Sequence, residues 1–253
     1  MDIEIQTGWI ISILLITLRL SILFFATPLD MFGRLPAHIK LFMCLGLAVV
    51  LSSGLPPIAY PDRLDLFFLA LSFLNEALVG LAMAFGLYCA FGAMSLGGGL
   101  LDFQAGFGAA NVLNPATNTY EPLLGTILTL LLVIVFFSSG AFSILLRGIL
   151  FSFQQIPPGN PLNHLSLRDV VAQFGIMFIY GFALAAPVIA MLLLIDTAIG
   201  VMSRSMPQMN VYFLFLPLKI AVALVMVAIS LRYLSPLMEQ LFLTVFRYWE
   251  RVL

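Results

Sequence analysis

Five charged side chains sit inside runs of apolar residues: Arg19, Glu76, Arg147, Asp196 and Lys219. Each costs about 2.5–3.5 kcal/mol to place at the centre of a bilayer, so such a charge is read first as a functional group. Three uses are open to it: coupling to a proton or ion, pairing that fixes helix register, and contact with another subunit. Spacing selects Asp196 and Lys219 as a pair. Their midpoint falls at Pro207 and Gln208, in the connector between the last two apolar segments, so an antiparallel hairpin sets them face to face. At 1.5 Å per residue they lie about 17 Å from that turn, where an unpaired charge is least tolerable. The pair can register the hairpin, couple an ion or meet a partner, and spacing leaves all three open. Glu76 precedes small residues at four-residue intervals, Gly80/Ala84, Ala82/Gly86/Ala90 and Ala93/Gly97. That pattern lets another helix approach closely.

Catalytic chemistry finds little material. His38 and His164 lie in polar connectors without ligand-like spacing, and no HExxH, GxSxG or GxxxxGKS string occurs. Cys44 and Cys89 stand in apolar runs, too few for a four-ligand zinc site and placed as small buried hydrophobes. The expectation is a protein that is not an enzyme and carries no metal or cofactor.

The most unusual stretch, residues 97–122, reads GGGLLDFQAGFGAANVLNPATNTYEP and contains no Lys or Arg. Gly97, Gly98 and Gly99 read as a flexible hinge. Asp102 and Gln104 follow, then Gly106, Phe107, Gly108, Ala109, Ala110 and Asn111, then the turn residues around Asn114 and Pro115. A half-apolar irregular segment is tolerated at membrane depth only where protein covers it or it lines a cavity. From these residues alone a solvent-exposed loop is the preferred reading, and a seal that can move aside, which Gly with Phe suits, is the competing one.

The elements that must carry these residues follow from composition. Of 253 residues, 62% are hydrophobic and 9% charged, with a net charge of -1, and the mean hydropathy is +1.12. This marks an integral membrane chain and excludes nucleic-acid binding, which needs a basic surface. Six apolar segments, 10–26, 39–55, 66–96, 123–153, 170–201 and 211–234, are long enough for membrane helices and lack the two-residue alternation of barrel strands. The fold class is all-α, about six long kinked helices arranged as hairpins in a single domain over 1–253. Segments 66–96 and 123–153 are too long for simple spans, the second being interrupted at Ser138, Ser139 and Gly140, and Pro187 and Pro217 should kink the last hairpin. Residues 237–253 read as an interfacial amphipathic helix. No Lys or Arg precedes Arg19, so no cleaved leader is expected. Positive charges counted over all loops favour a cytoplasmic N-terminus, whereas Arg34 and Lys40 in the first loop argue the reverse. Helices covered by partner subunits escape both constraints, which hints at an obligate assembly.

Five blocks in order resemble the FliR family, the export-gate component of flagellar and virulence type III secretion systems, called SpaR or SctT in the latter. They are ATPLDMFGRLPAHIKLFMCLGLA (26–48), NEALVGLAMAFG (75–86), DFQAGFGAANVLNPAT (102–117), SSGAF (138–142) and APVIAMLLLIDTAIGVMSRSMPQMNVYFLFLPLK (186–219). The last, with Arg204, Pro207, Pro217 and Lys219, is the most specific. The chain departs from the family at Ala141, where His often stands, and at Leu216, where Gly often stands. The resemblance implies a subunit that assembles with FliP-like and FliQ-like proteins into a helical gate in the bacterial inner membrane, at a flagellar basal body or injectisome base. FlhB-like and FlhA-like proteins work beside it, and unfolded secreted proteins are the substrates. It also implies that the loop at about 104–121 plugs the closed pore. The rival reading is a stand-alone small-solute channel or secondary transporter, against which stands the absence of an inverted repeat.

Overall fold

The computed structural model describes residues 7–27, 36–54, 66–107, 122–161, 166–205 and 211–253. Seven helices run through them: α1 Thr7–Ala26, α2 Ala37–Gly54, α3 Leu66–Ala105, α4 Leu123–Ser138, α5 Ala141–Gln155, α6 Leu167–Ser205 and α7 Val211–Val252. No strand occurs among the described residues. A helix satisfies its own backbone, which is what apolar surroundings demand. Hydroxyls inside these helices are satisfied in the same way: Ser12 donates to the Gly8 carbonyl at 2.8 Å, Thr17 to Ile13 at 2.7 Å and Thr129 to Gly125 at 2.8 Å. Five of the described helices are long and apolar enough to cross a membrane, or six spans if α4 and α5 count as one bent crossing.

Three element boundaries differ from those read in the sequence. The segment beginning at Leu66 does not stop at Leu96 but runs through the glycine triplet to Ala105. The 123–153 segment is two helices, broken at Ser139 and Gly140, with Gly140 in the left-handed region at φ 77°. The tail is not a separate helix: α7 continues through Pro236 to Val252. Its apolar face, including Leu241, Val245 and Trp249, is buried within the chain, while Glu239, Arg247, Glu250 and Arg251 are exposed. Pro187 and Pro217 lie inside continuous α6 and α7. At 40, 39 and 42 residues, α3, α6 and α7 are each about 60 Å long, twice the roughly 30 Å hydrocarbon core. None of the three is a simple span.

The chain packs as two compact units, Met1–Tyr88 with Phe142–Gln173 and Thr244–Leu253, and Cys89–Ala141 with Phe174–Leu243. In the first, α1 packs on α2, and the core gathers Leu15, Leu20, Met83, Leu87, Ile149 and Trp249. The Trp249 indole N–H donates to the Met83 carbonyl at 3.1 Å and the Tyr248 hydroxyl to that of Ala82 at 3.2 Å. The ring fits because glycines face it: a Cβ on Gly148 would lie 2.5 Å from Trp249 Cζ3, and one on Gly86 would lie 3.0 Å from its Nε1. In the second unit the core gathers Met94, Leu101, Leu128, Phe136, Leu192 and Phe242, with the Phe136 and Phe242 rings 5.1 Å apart.

Candidate functional site

In the first unit, two of the charges singled out by type are joined. Arg19 on α1 and Glu76 on α3 form a two-pronged ion pair, Nε to Oε2 at 2.6 Å and Nη2 to Oε1 at 3.1 Å, each side chain 1% exposed. The remaining donors of the guanidinium reach the Ser152 carbonyl and the Ile156 carbonyl, both at 3.0 Å, and Ser152 Oγ at 3.2 Å. The Phe153 ring lies against it, 4.2 Å from the guanidinium carbon to the centroid. Glu76 Oε1 also accepts the Gly159 N–H at 2.9 Å. The cluster therefore staples α1, α3, the end of α5 and the turn that follows it. Burial in this geometry is tolerable because each charge meets its opposite and spends its other bonds on backbone groups and the Ser152 hydroxyl. Gly80, one turn on from Glu76, lets α1 close in: a Cβ there would lie 3.0 Å from the Arg19 carbonyl oxygen and 3.1 Å from Ile22 Cβ. Gly80 and Gly86 thus receive α1 and the end of α7. Arg147, the fifth charge, is exposed on α5 and lines a groove of about 420 Å³ with Gln154, Phe246, Trp249 and Glu250.

In the second unit, Asp196 and Lys219 come together across the α6–α7 hairpin, Nζ to Oδ1 at 2.7 Å and to Oδ2 at 2.9 Å. Gln104 on α3 joins them, its Nε2 donating to Asp196 Oδ2 at 2.9 Å. Two residues later α3 ends at Gly106, in the left-handed region at φ 88°, its N–H donating to the Phe103 carbonyl at 3.3 Å. Glycine is the residue that ends a helix this way at no steric cost. Asp102, 4% exposed, turns towards α4. Its carboxylate accepts the Leu124 N–H at 2.9 and 3.1 Å and the Gly125 N–H at 3.4 Å. Pro122 holds the N-cap position of α4 and has no side-chain oxygen to offer, so a residue from another helix supplies the negative group that an N-terminus favours. Asp102 and Leu124 are thereby a hydrogen bond apart.

Gly97, Gly98 and Gly99 are helical, and at two of them the structure shows close approach. A Cβ on Gly98 would fall 2.3 Å from Gly125 Cα, and one on Gly97 would fall 2.8 Å from the Gly181 carbonyl oxygen. Of the loop residues expected to matter, Gly106 and Phe107 are described and half-buried. Gly108, Ala109, Ala110, Asn111, Asn114 and Pro115 lie outside the described residues. Sequence reasoning missed the partnership of Arg19 with Glu76, the capping by Asp102 and the bond from Gln104. The one signal for the first was that charges inside apolar segments must find partners.

Long apolar helices, four of whose five charges inside apolar runs are joined in two ion pairs, and no strand among the described residues define an all-α integral membrane protein. Residues 10–245 match the family described as Bacterial export proteins, family 1. The chain belongs to that family. It is similar to the Flagellar biosynthetic protein FliR of Bacillus subtilis, 33% identical over 237 residues that cover 91% of this chain and 90% of the relative. It is similar also to the FliR of Escherichia coli, 27% identical over 232 residues covering 90% and 87%. The Secretion system apparatus protein SsaT of Salmonella typhimurium is 27% identical over 233 residues, covering 89% and 88%. Flagellar and secretion-system proteins thus both stand among the relatives.

Proposed function

We propose that this chain is a core subunit of a type III secretion export gate in the bacterial inner membrane, flagellar in preference to injectisome. In this reading it lines part of the conduit for unfolded proteins, with FliP-like and FliQ-like subunits around it and FlhB-like and FlhA-like proteins beside it. It works as a passive gate and not as an enzyme, so the energy comes from partners and the proton-motive force. The observation that carries the reading is the family match across residues 10–245, and the names of the flagellar and secretion relatives give it direction. Helices of about 60 Å favour an assembly that reaches beyond the bilayer over separate lipid spans.

The connector after α3 is the plug. Gly106 to Asn111, with Asn114 and Pro115 behind them, fill the closed pore and exclude water and ions, and arriving substrate displaces them. The α3 glycines Gly97, Gly98 and Gly99 are where that helix yields when the plug moves. Deleting residues 106–111 is expected to leave the complex assembled but the membrane leaky to small ions. Unchanged permeability with intact assembly rejects the plug. Isolation of the tagged chain with native mass spectrometry tests the assembly itself: FliP-like and FliQ-like partners at fixed mass support it, and a lone monomer or homo-oligomer rejects it.

A further inference from the structure

The two ties at the end of α3 differ in a way that assigns them different tasks. Asp102 is 4% exposed and accepts N–H groups from both Leu124 and Gly125. With water excluded, nothing replaces those bonds if they break, so the end of α3 and the start of α4 stay together as one body. The Gln104 bond to Asp196 is a single contact, and the Asp196 side chain is 32% exposed. When the Gln104 amide leaves, Lys219 still meets both oxygens of the carboxylate and keeps its charge compensated. One tie is permanent and the other can be released.

We infer that Gln104 is a releasable latch by which the Asp196–Lys219 pair on the α6–α7 hairpin holds the α3–α4 rim, and so sets how readily the gate opens. The inference rests on the plug reading and adds its control. Breaking the Gln104 bond removes the polar tie between the end of α3 and α6 and leaves both the ion pair and the Asp102 cap in place. Losing one hydrogen bond to a charged acceptor shifts a two-state equilibrium about ten- to a hundredfold. The carboxylate that registers the hairpin is therefore also the point from which movement of α6 or α7 reaches the connector.

The test uses the complete export complex, isolated through a tag on this chain and placed in phospholipid vesicles, with potassium efflux as one readout. The second readout is the spin-label distance between Phe103→Cys on α3 and Thr197→Cys on α6, both exposed positions, with Cys44 and Cys89 replaced by Ala. Gln104→Leu keeps the bulk and removes the donor. It is expected to raise efflux ten- to a hundredfold, to lengthen or broaden the label distance, and to leave complex recovery unchanged. Gln104→Lys, which restores a donor to the carboxylate, is expected to return both readouts towards the parent. If Gln104→Leu leaves efflux and distance as in the parent while deletion of 106–111 leaks, the latch is wrong and the plug stands. If the deletion does not leak, the plug reading fails and the latch loses its role in gating, whatever the labels report.

Discussion

Removing either partner of the Arg19–Glu76 pair is expected to damage the first unit unequally. Glu76→Leu leaves a guanidinium that cannot shed its proton in a site where both side chains are 1% exposed. Breaking a buried pair from one side costs about 3–5 kcal/mol, and the Gly159 N–H loses its carboxylate acceptor as well. Arg19→Leu is milder, because an abandoned carboxyl can take up a proton and become neutral. Its remaining cost is the loss of donors to the Ser152 and Ile156 carbonyls. At about 2–4 °C per kcal/mol for chains approaching this size, the Glu76→Leu midpoint falls by roughly 6–20 °C, with Arg19→Leu between it and the parent. The double variant is expected to melt near Arg19→Leu and not at the sum of the two losses, since neither charge is left to be orphaned. The assay is thermal unfolding of the purified chain in detergent, followed by the fluorescence of Trp249, 1% exposed in the same unit, in a Trp9→Phe background. Equal losses for the two single variants, or a double variant at their sum, refute the reasoning that the cluster is one electrostatic unit.

Three further outcomes follow from the geometry. Asp196→Ala is expected to lower the yield of isolated complex, and Asp196→Lys combined with Lys219→Asp to restore part of it, with the Gln104 amide turning its carbonyl oxygen to the new ammonium; yield by native gel checks this, and no rescue means the 2.7 Å contact is not what holds the hairpin. Gly98→Ala must push α3 from the α4 backbone, since its Cβ would lie 2.3 Å from Gly125 Cα, at a cost of about 1–3 kcal/mol or more. Gly99→Ala meets only Pro122 Cγ at 3.9 Å and is expected to gain about 0.5–1 kcal/mol from helix preference, so opposite shifts in thermal midpoint are predicted for neighbouring glycines. Trp249→Phe removes the N–H that meets the Met83 carbonyl at 3.1 Å, a loss of about 1 kcal/mol before packing is counted; an unchanged midpoint for the detergent-solubilised chain would show that this hydrogen bond contributes nothing net.

The reach of sequence reasoning here depends on how many bodies a contact involves. Asp196 and Lys219 were legible because a hairpin about a known turn is a two-body problem, and equal distances from the turn fix the register. Arg19 and Glu76 are 57 residues apart, and their meeting depends on how α1 settles on α3. Charge alone says that partners must exist but not which ones. The glycine triplet read as part of a connector because each glycine weakens a helix by about 1 kcal/mol. The helix persists where the missing Cβ is itself required, at Gly98 against Gly125 and at Gly97 against Gly181. The tail's period was legible, whereas what its apolar face meets was not, because lipid and α3 are equally apolar. Only the pocket for Trp249 decides, and Gly86 and Gly148, which shape it, come from two other helices.

Burial also separates what holds the chain together from what can move in it. The charges of Arg19 and Glu76 are enclosed, so no water stands ready to replace a bond that breaks, and their staple belongs to the fixed frame. Asp102 is enclosed in the same sense. Asp196 differs: about a third of its side chain is open, and three donor–acceptor contacts from two helices converge on its carboxylate. A carboxylate with two claimants can lose the neutral one and stay paired with the cation, which an enclosed carboxylate holding only backbone donors cannot do. In the proposed gate, rearrangement therefore falls on Gln104 and the α6–α7 pair before it touches either enclosed site, and variants of the two groups should separate into defects of opening and defects of stability.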